Sequence, residues 1–149
     1  MTNDLEILIT GQQFKKLYEK KYEHIMDTYG LRKIDIDILY FLSTCQYDTA
    51  KDIANLRYFS KAHISKSIEH LTEKKYICHY EDAHDRRCVH LKTTSLAQPL
   101  IEQIGAVKKD MAALLYQNIT EEELATLQLV AKKIAHNIHK ELERSVQNS

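Results

Sequence analysis

The side chains with usable chemistry crowd into one stretch, Ser60 to Leu91. It opens on Ser60-Lys61-Ala62-His63-Ile64-Ser65-Lys66 and carries Asp82-Ala83-His84-Asp85-Arg86-Arg87 further on. Lysine can bond guanine acceptors or phosphate, serine can meet phosphate or a base edge, and arginine can enter a minor groove. This is chemistry suited to duplex DNA. Between Arg57 and Lys92 there are eight Lys and Arg against five Asp and Glu, a balance of +3. His63, His70, His79, His84 and His90, five of the eight histidines, also lie there. The whole chain has a formal net charge of zero. The positive field is therefore local, with acidic flanks, and permits nucleic-acid contact without requiring it. Ser60, Lys61, His63, Ser65 and Lys66 are the candidates for the major groove. Taken alone, the same residues describe an ordinary solvated helix face.

Other chemistries have weaker support. Cys45, Cys78 and Cys88 are an odd set with no C-x-x-C spacing, against both a disulfide framework and a zinc finger. Cys78 and Cys88 could face each other across a hairpin, with His90 on the same face, in a register that the sequence does not fix. That would suit a thiol switch or a metal site, although isolated cysteines more often serve as small hydrophobes. Cys45 is expected to be buried at the end of the second helix. His136 and His139 stand one turn apart and could share a metal with His24 or a glutamate, but no further ligand is spaced to match. No metal or other cofactor is expected. The chain has no nucleophile elbow, phosphate loop or paired-carboxylate motif, so an enzyme is not expected.

Six helices and one hairpin must position these residues. Leu5, Leu8, Ile9, Leu17, Tyr18, Tyr22, Ile25, Met26 and Tyr29 predict one long helix that Gly30 ends. Ile34 to Leu42 predicts a second, buried helix. Thr49 and Asp52 cap a third. Ser60 caps a fourth, whose inner stripe is Ile64, Ile68 and Leu71. Alternation over Ile77 to Glu81 and Cys88 to Lys92 predicts two strands, with Val89 and Leu91 on one face and Cys88 and His90 on the other. A fifth helix begins near Ser95, with Pro99 in its first turn, where proline costs least. Thr120-Glu121-Glu122-Glu123 caps a sixth, with Leu124, Leu127, Ala131, Ile134, Ile138 and Leu142 as its stripe.

The 149 residues, 44% of them hydrophobic, suffice for one domain or two small lobes. Three glycines and one proline fit long uninterrupted helices. No leader pattern and no span-length apolar run is present, so a cytoplasmic protein without membrane association is expected. The first and last helices are too apolar on one side for a small middle lobe. A second copy of the chain would cover them, through Leu5, Leu8, Leu124, Leu127, Ile134, Ile138 and Leu142. The fold class is mainly α with a small β-hairpin wing: a winged helix-turn-helix over 31–95, with dimerisation helices in 1–30 and 96–149.

In this order the parts resemble the MarR family of bacterial transcription regulators over nearly the whole chain. The resemblance is carried by Gly30-Leu31 and the run to Leu42, by Thr49-x-x-Asp52-Ile53-Ala54, and by Ser60-x-x-x-Ile64-Ser65-Lys66-x-Ile68-x-x-Leu71-x-x-Lys74. Its most specific element is Asp82-x-x-Asp85-Arg86-Arg87, similar to the family's wing motif. Two departures stand out. Lys75 replaces the glycine that usually ends the recognition helix and must turn left-handed, unless the helix ends differently. Thr93-Thr94-Ser95-Leu96-Ala97 replaces the usual Leu-Thr and the glycine soon after it.

The resemblance implies a homodimeric repressor of a palindromic operator, tuned by a small-molecule effector. It implies that Arg87 enters the minor groove with Asp85 holding it by charge pairing, and that Arg86 meets phosphate or solvent. It places an effector cleft between the dimer helices and the DNA-binding lobe, where Tyr18, Tyr22 or Tyr29 could contribute, although a core role suits them better. The alternatives are a winged-helix protein-interaction module without operator binding and a metal- or redox-sensing variant of the regulator.

Overall fold

A computed structural model describes residues 8, 11–44, 48–57 and 59–148. The expectations for Leu5 and Cys45 lie outside these residues. The chain forms two compact units, Met1–Asp110 and Met111–Ser149.

In the first unit, α1 (Gln12–Tyr29), α2 (Lys33–Thr44), α3 (Ala50–Arg57) and α4 (Lys61–Glu73) precede the hairpin β1 (Ile77–Glu81) and β2 (Val89–Thr93). A 3-10 turn over Ser95–Ala97 leads into α5 (Gln98–Leu115). The expected single helix from Leu5 is corrected at its start. Gly11 precedes α1 with φ 67°, a left-handed residue that ends helical continuity, and Leu8 is exposed. Apolar spacing does not register such a break, because glycine leaves the pattern on either side intact. Gly30 closes α1 as expected, with φ 62° and its N–H on the Met26 carbonyl.

The core gathers one face from each element. Tyr18, Tyr22 and Ile25 come from α1, and Ile36, Ile38, Leu39 and Phe41 from α2. Ile53, Ile64, Leu71, Ile77, Leu91, Leu100 and Ile104 complete it. Ile68, expected beside Ile64 and Leu71, is half-buried. Thr49 and Asp52 cap α3 reciprocally: the Asp52 N–H donates to Thr49 Oγ1 (3.1 Å), and the Thr49 N–H donates to Asp52 Oδ2 (3.2 Å).

The hairpin is antiparallel, pairing Ile77 with Thr93, Cys78 with Lys92, His79 with Leu91, Tyr80 with His90 and Glu81 with Val89. This register does not set Cys78 opposite Cys88. Cys78 faces Lys92, and Cys88 lies beyond the other end of β2, about 13 Å away along the strand. Val89 and Leu91 do share a face, but Val89 is exposed because it sits outward of the core.

Lys75 has φ 62°, so it does occupy the left-handed position that glycine would fill at no steric cost. Around it, the Lys75 N–H donates to Thr72 O (2.9 Å) and the Tyr76 N–H to Leu71 O (3.0 Å). That pairing is a Schellman ending of α4. Thr94 Oγ1 donates to the Lys75 carbonyl (2.7 Å), and the Thr94 N–H donates to Tyr76 O (2.9 Å). The two departures noted in the sequence therefore meet: the threonine after the wing braces the lysine before it.

The second unit begins at the end of α5, turns through Asn118 at φ 62°, and continues as α6 (Glu121–Gln147). Thr120 and Glu123 form the expected capping box. No residue of α6 is buried. Leu127, Ile134, Ile138 and Leu142 are all exposed, at 36% to 61%, and Leu124 is half-buried. No helix among the described residues is long and apolar enough to cross a membrane.

Candidate nucleic-acid interface

The α4 helix begins at Ser60, whose Oγ accepts from the His63 N–H (3.3 Å). That bond starts the helix and turns its first residues outward. Lys61, His63, Ser65 and Lys66 are exposed, as is Ser60, while Ile64, Ser67 and Leu71 are buried on the reverse face. The five candidate residues thus share an accessible end and side of one helix.

The reverse face holds a polar anchor that pattern reading missed. Asp35 on α2 is fully buried. It accepts from the Arg32 backbone N–H (2.8 Å), Arg32 Nε (3.2 Å) and Arg32 Nη2 (3.1 Å). Ser67 Oγ of α4 donates to it, and His70 Nδ1 of α4 lies 3.0 Å from its second oxygen. Burial alone would raise this carboxyl's pKa. The hydrogen bonds from Arg32, Ser67 and His70 outweigh it and hold the group below 3.8. Two turns of α4 are therefore tied to one fixed charge. The available signal was an acid in the first turn of an apolar helix, between Ile34 and Ile36.

The wing tip is shaped by aspartates. Asp82 Oδ1 accepts from the N–H groups of His84 (2.8 Å) and Asp85 (3.2 Å). Asp85 Oδ1 accepts from the backbone N–H of Arg87 (2.9 Å). This corrects the expected charge pairing: Asp85 holds Arg87 by its main chain, because an Asx turn presents the N–H two residues on. Asp85, Arg86 and Arg87 are all exposed.

The wing base is tied to the start of α3. Asp48 O accepts from the Leu91 N–H (2.9 Å), and Tyr80 Oη donates to Asp48 Oδ2 (2.6 Å). His90 stacks on Tyr80 with ring centroids 5.0 Å apart. Its Nδ1 meets Asp48 Oδ1, and its Nε2 lies 2.8 Å from Asp82 Oδ2. The bonds to the two carboxylates raise the imidazole's pKa above 6.5.

Tyr18 and Tyr22 are core residues, stacked at 4.3 Å. Their hydroxyls donate to Asp37 Oδ1 (3.2 Å) and Ile104 O (3.5 Å). Tyr29 is half-buried and accepts from Gln103 Nε2 (2.7 Å). His139 Nε2 lies 3.1 Å from Glu143.

Residues 31–97 match the family of winged helix DNA-binding domains. Solved structures extend the likeness to the whole chain. A MarR/EmrR family transcriptional regulator from Acinetobacter sp. ADP1 is 21% identical, with a TM-score of 0.79 over 94% of this chain and 99% of that one. A MarR protein from Peptoclostridium difficile is 20% identical, with a TM-score of 0.75 over 94% and 90%. S. aureus MepR in complex with DNA is 20% identical, with a TM-score of 0.74 over 92% and 98%. Residues 31–97 are thus similar to winged helix DNA-binding domains, and the fold of the chain is that seen in MarR-family transcriptional regulators.

Proposed function

We propose that this protein is a MarR-family repressor that binds a palindromic operator as a homodimer and is released by a small-molecule effector. The observation that carries the reading is the division of α4 into two faces. Asp35 and the core hold one face, and the other leaves Ser60, Lys61, His63, Ser65 and Lys66 accessible beside an exposed wing arginine pair. The complex of S. aureus MepR with DNA supports this use of the fold. The exposed stripe of α6, with Leu127, Ile134, Ile138 and Leu142 beside the half-buried Leu124, supports a second copy as its cover. Two recognition helices so joined would meet successive major grooves about 34 Å apart. The effector must favour the spacing that cannot grip DNA over the one that can.

The test is binding of the full chain to duplex DNA from its own promoter across a salt series. Affinity should fall steeply as salt rises. Lys66→Ala should weaken binding and lower the salt slope by about one per protomer. Arg87→Ala should weaken binding as well. Unchanged binding in both variants would remove these residues from the interface. No binding to any promoter duplex would favour the protein-interaction module.

A further inference from the structure

The wing base gathers a set of ligand atoms apart from the residues proposed to touch DNA. Asp82, Cys88 and His90 each offer one, and the three lie within 4.8 Å of one another. His90 Nε2 is 2.8 Å from Asp82 Oδ2 and 3.8 Å from Cys88 Sγ. The hairpin brings them together. Tyr80 pairs with His90, and one step outward the Asp82 N–H donates to Cys88 O (3.2 Å). Side chains two apart on a strand share a face, so Asp82, Cys88 and His90 project to the same side. All three residues are half-buried.

We propose that Asp82, Cys88 and His90 bind a zinc ion through carboxylate, thiolate and imidazole, with the fourth position open to water. The donor set selects the metal. Calcium and magnesium take oxygen ligands, whereas a mixed sulfur, nitrogen and oxygen set suits zinc. The spacing agrees: tetrahedral zinc with Zn–S of about 2.3 Å and Zn–N of about 2.0 Å holds sulfur and nitrogen about 3.5 Å apart. Here they are 3.8 Å apart. The Asp82 carboxylate needs to swing away from His90 by about 0.5 Å to reach the same ion.

A second observation lies on the far side of the ring. His90 Nδ1 is held by Asp48 Oδ1, which leaves Nε2 directed at Asp82 and Cys88. A carboxylate behind the imidazole is how metal-bound histidines are oriented. The proton count closes without redox chemistry. The ion displaces a proton from His90 Nε2 and one from the Cys88 thiol, and both pass to solvent. Asp82 coordinates as the carboxylate. Cys78 faces Lys92 and lies too far along the strand to serve. A bound ion would join the two ends of the 82–88 loop and so stiffen the segment bearing Arg86 and Arg87. That consequence rests on the DNA reading; the binding itself does not.

The test is titration of the full metal-free chain with cobalt(II), followed by displacement with zinc, in the absence of DNA. One equivalent should produce a thiolate-to-cobalt charge-transfer band with tetrahedral visible bands, and zinc should abolish both. Cys88→Ser should eliminate the charge-transfer band. Asp48→Asn, a change at the positioning residue, should keep the band and weaken zinc about 10–100-fold. Asp82→Asn should also keep the band and weaken zinc, which gives a second route should Cys88→Ser fold poorly by circular dichroism. Cys78→Ser should change nothing. The absence of a band in the wild type, a band that persists in folded Cys88→Ser, or a band lost in Cys78→Ser would each overturn the site. Failure to bind promoter DNA would leave this result untouched.

Discussion

Asp35 does at the residue scale what no surface charge can. It is fully buried and keeps its negative charge because Arg32, Ser67 and His70 surround it with donors. Its pKa is depressed, so its contribution to stability is complete above the unfolded value of about 3.8 and is lost as pH falls through the lower folded value. Asp35→Asn should cost about 1–3 kcal/mol at neutral pH, because amide hydrogens would meet donors already in place. In urea unfolding, the gap between wild type and variant should narrow as the solution is acidified below pH 3.8. A gap that stays constant would deny Asp35 this role. Lys75 is the opposite case, a residue in the wrong conformation for its type. Left-handed backbone costs a side-chain-bearing residue about 1–2 kcal/mol, and glycine returns part of that to unfolded-chain entropy. Lys75→Gly should therefore stabilise by about 0.5–1 kcal/mol, read from the same unfolding curves. Thr94 Oγ1 would still reach the carbonyl at position 75, since that bond is to the main chain.

Among elements, α4 and α6 show the difference between a helix held by its neighbours and one held by itself. The α4 helix buries Ile64, Ser67 and Leu71, so tertiary contacts fix its direction. The α6 helix buries nothing and relies on local devices such as its capping box. Thr120→Ala leaves the Glu123 N–H without its cap and should cost about 1 kcal/mol of helix stability. Circular dichroism during thermal unfolding would register the loss, and an unchanged midpoint would mean that something else holds α6. The pattern of apolar residues found buried positions on α1, α2 and α4, with Ile68 only half-buried, and named none of Ile53, Leu100 or Ile104. It overran the start of α1, because Gly11 interrupts the backbone without interrupting the apolar spacing.

For the whole molecule, the exposed stripe of α6 is the largest physical demand left open. Leu127, Ile138 and Leu142 are 44%, 53% and 61% exposed, and each would release unfavourable apolar surface on association. If a second copy covers them, Ile138→Glu should shift sedimentation from dimer to monomer. The same variant should weaken promoter binding, since the two recognition helices would no longer act as a pair. A variant that remains dimeric would move the interface elsewhere.

The sequence by itself determined the local order. Helix caps at Thr49, Ser60 and Thr120 and the run of elements follow from nearest neighbours along the chain, where capping and periodicity act, whereas the left-handed turn at Lys75 was one of two endings until the structure decided it. The outward set on α4 was also legible, because a helix with a buried stripe must present its other side. Tertiary structure decided what depends on distant partners. Asp35 meets Ser67 and His70 across more than thirty residues, and His90 meets Asp48 across forty-two. Strand register separated Cys78 from Cys88 and put Asp82 beside His90, and a shift of one residue would have reversed every side chain. Whether Asp85 meets the guanidinium or the main chain of Arg87 was likewise set by the fold of the turn, which charge alone does not specify.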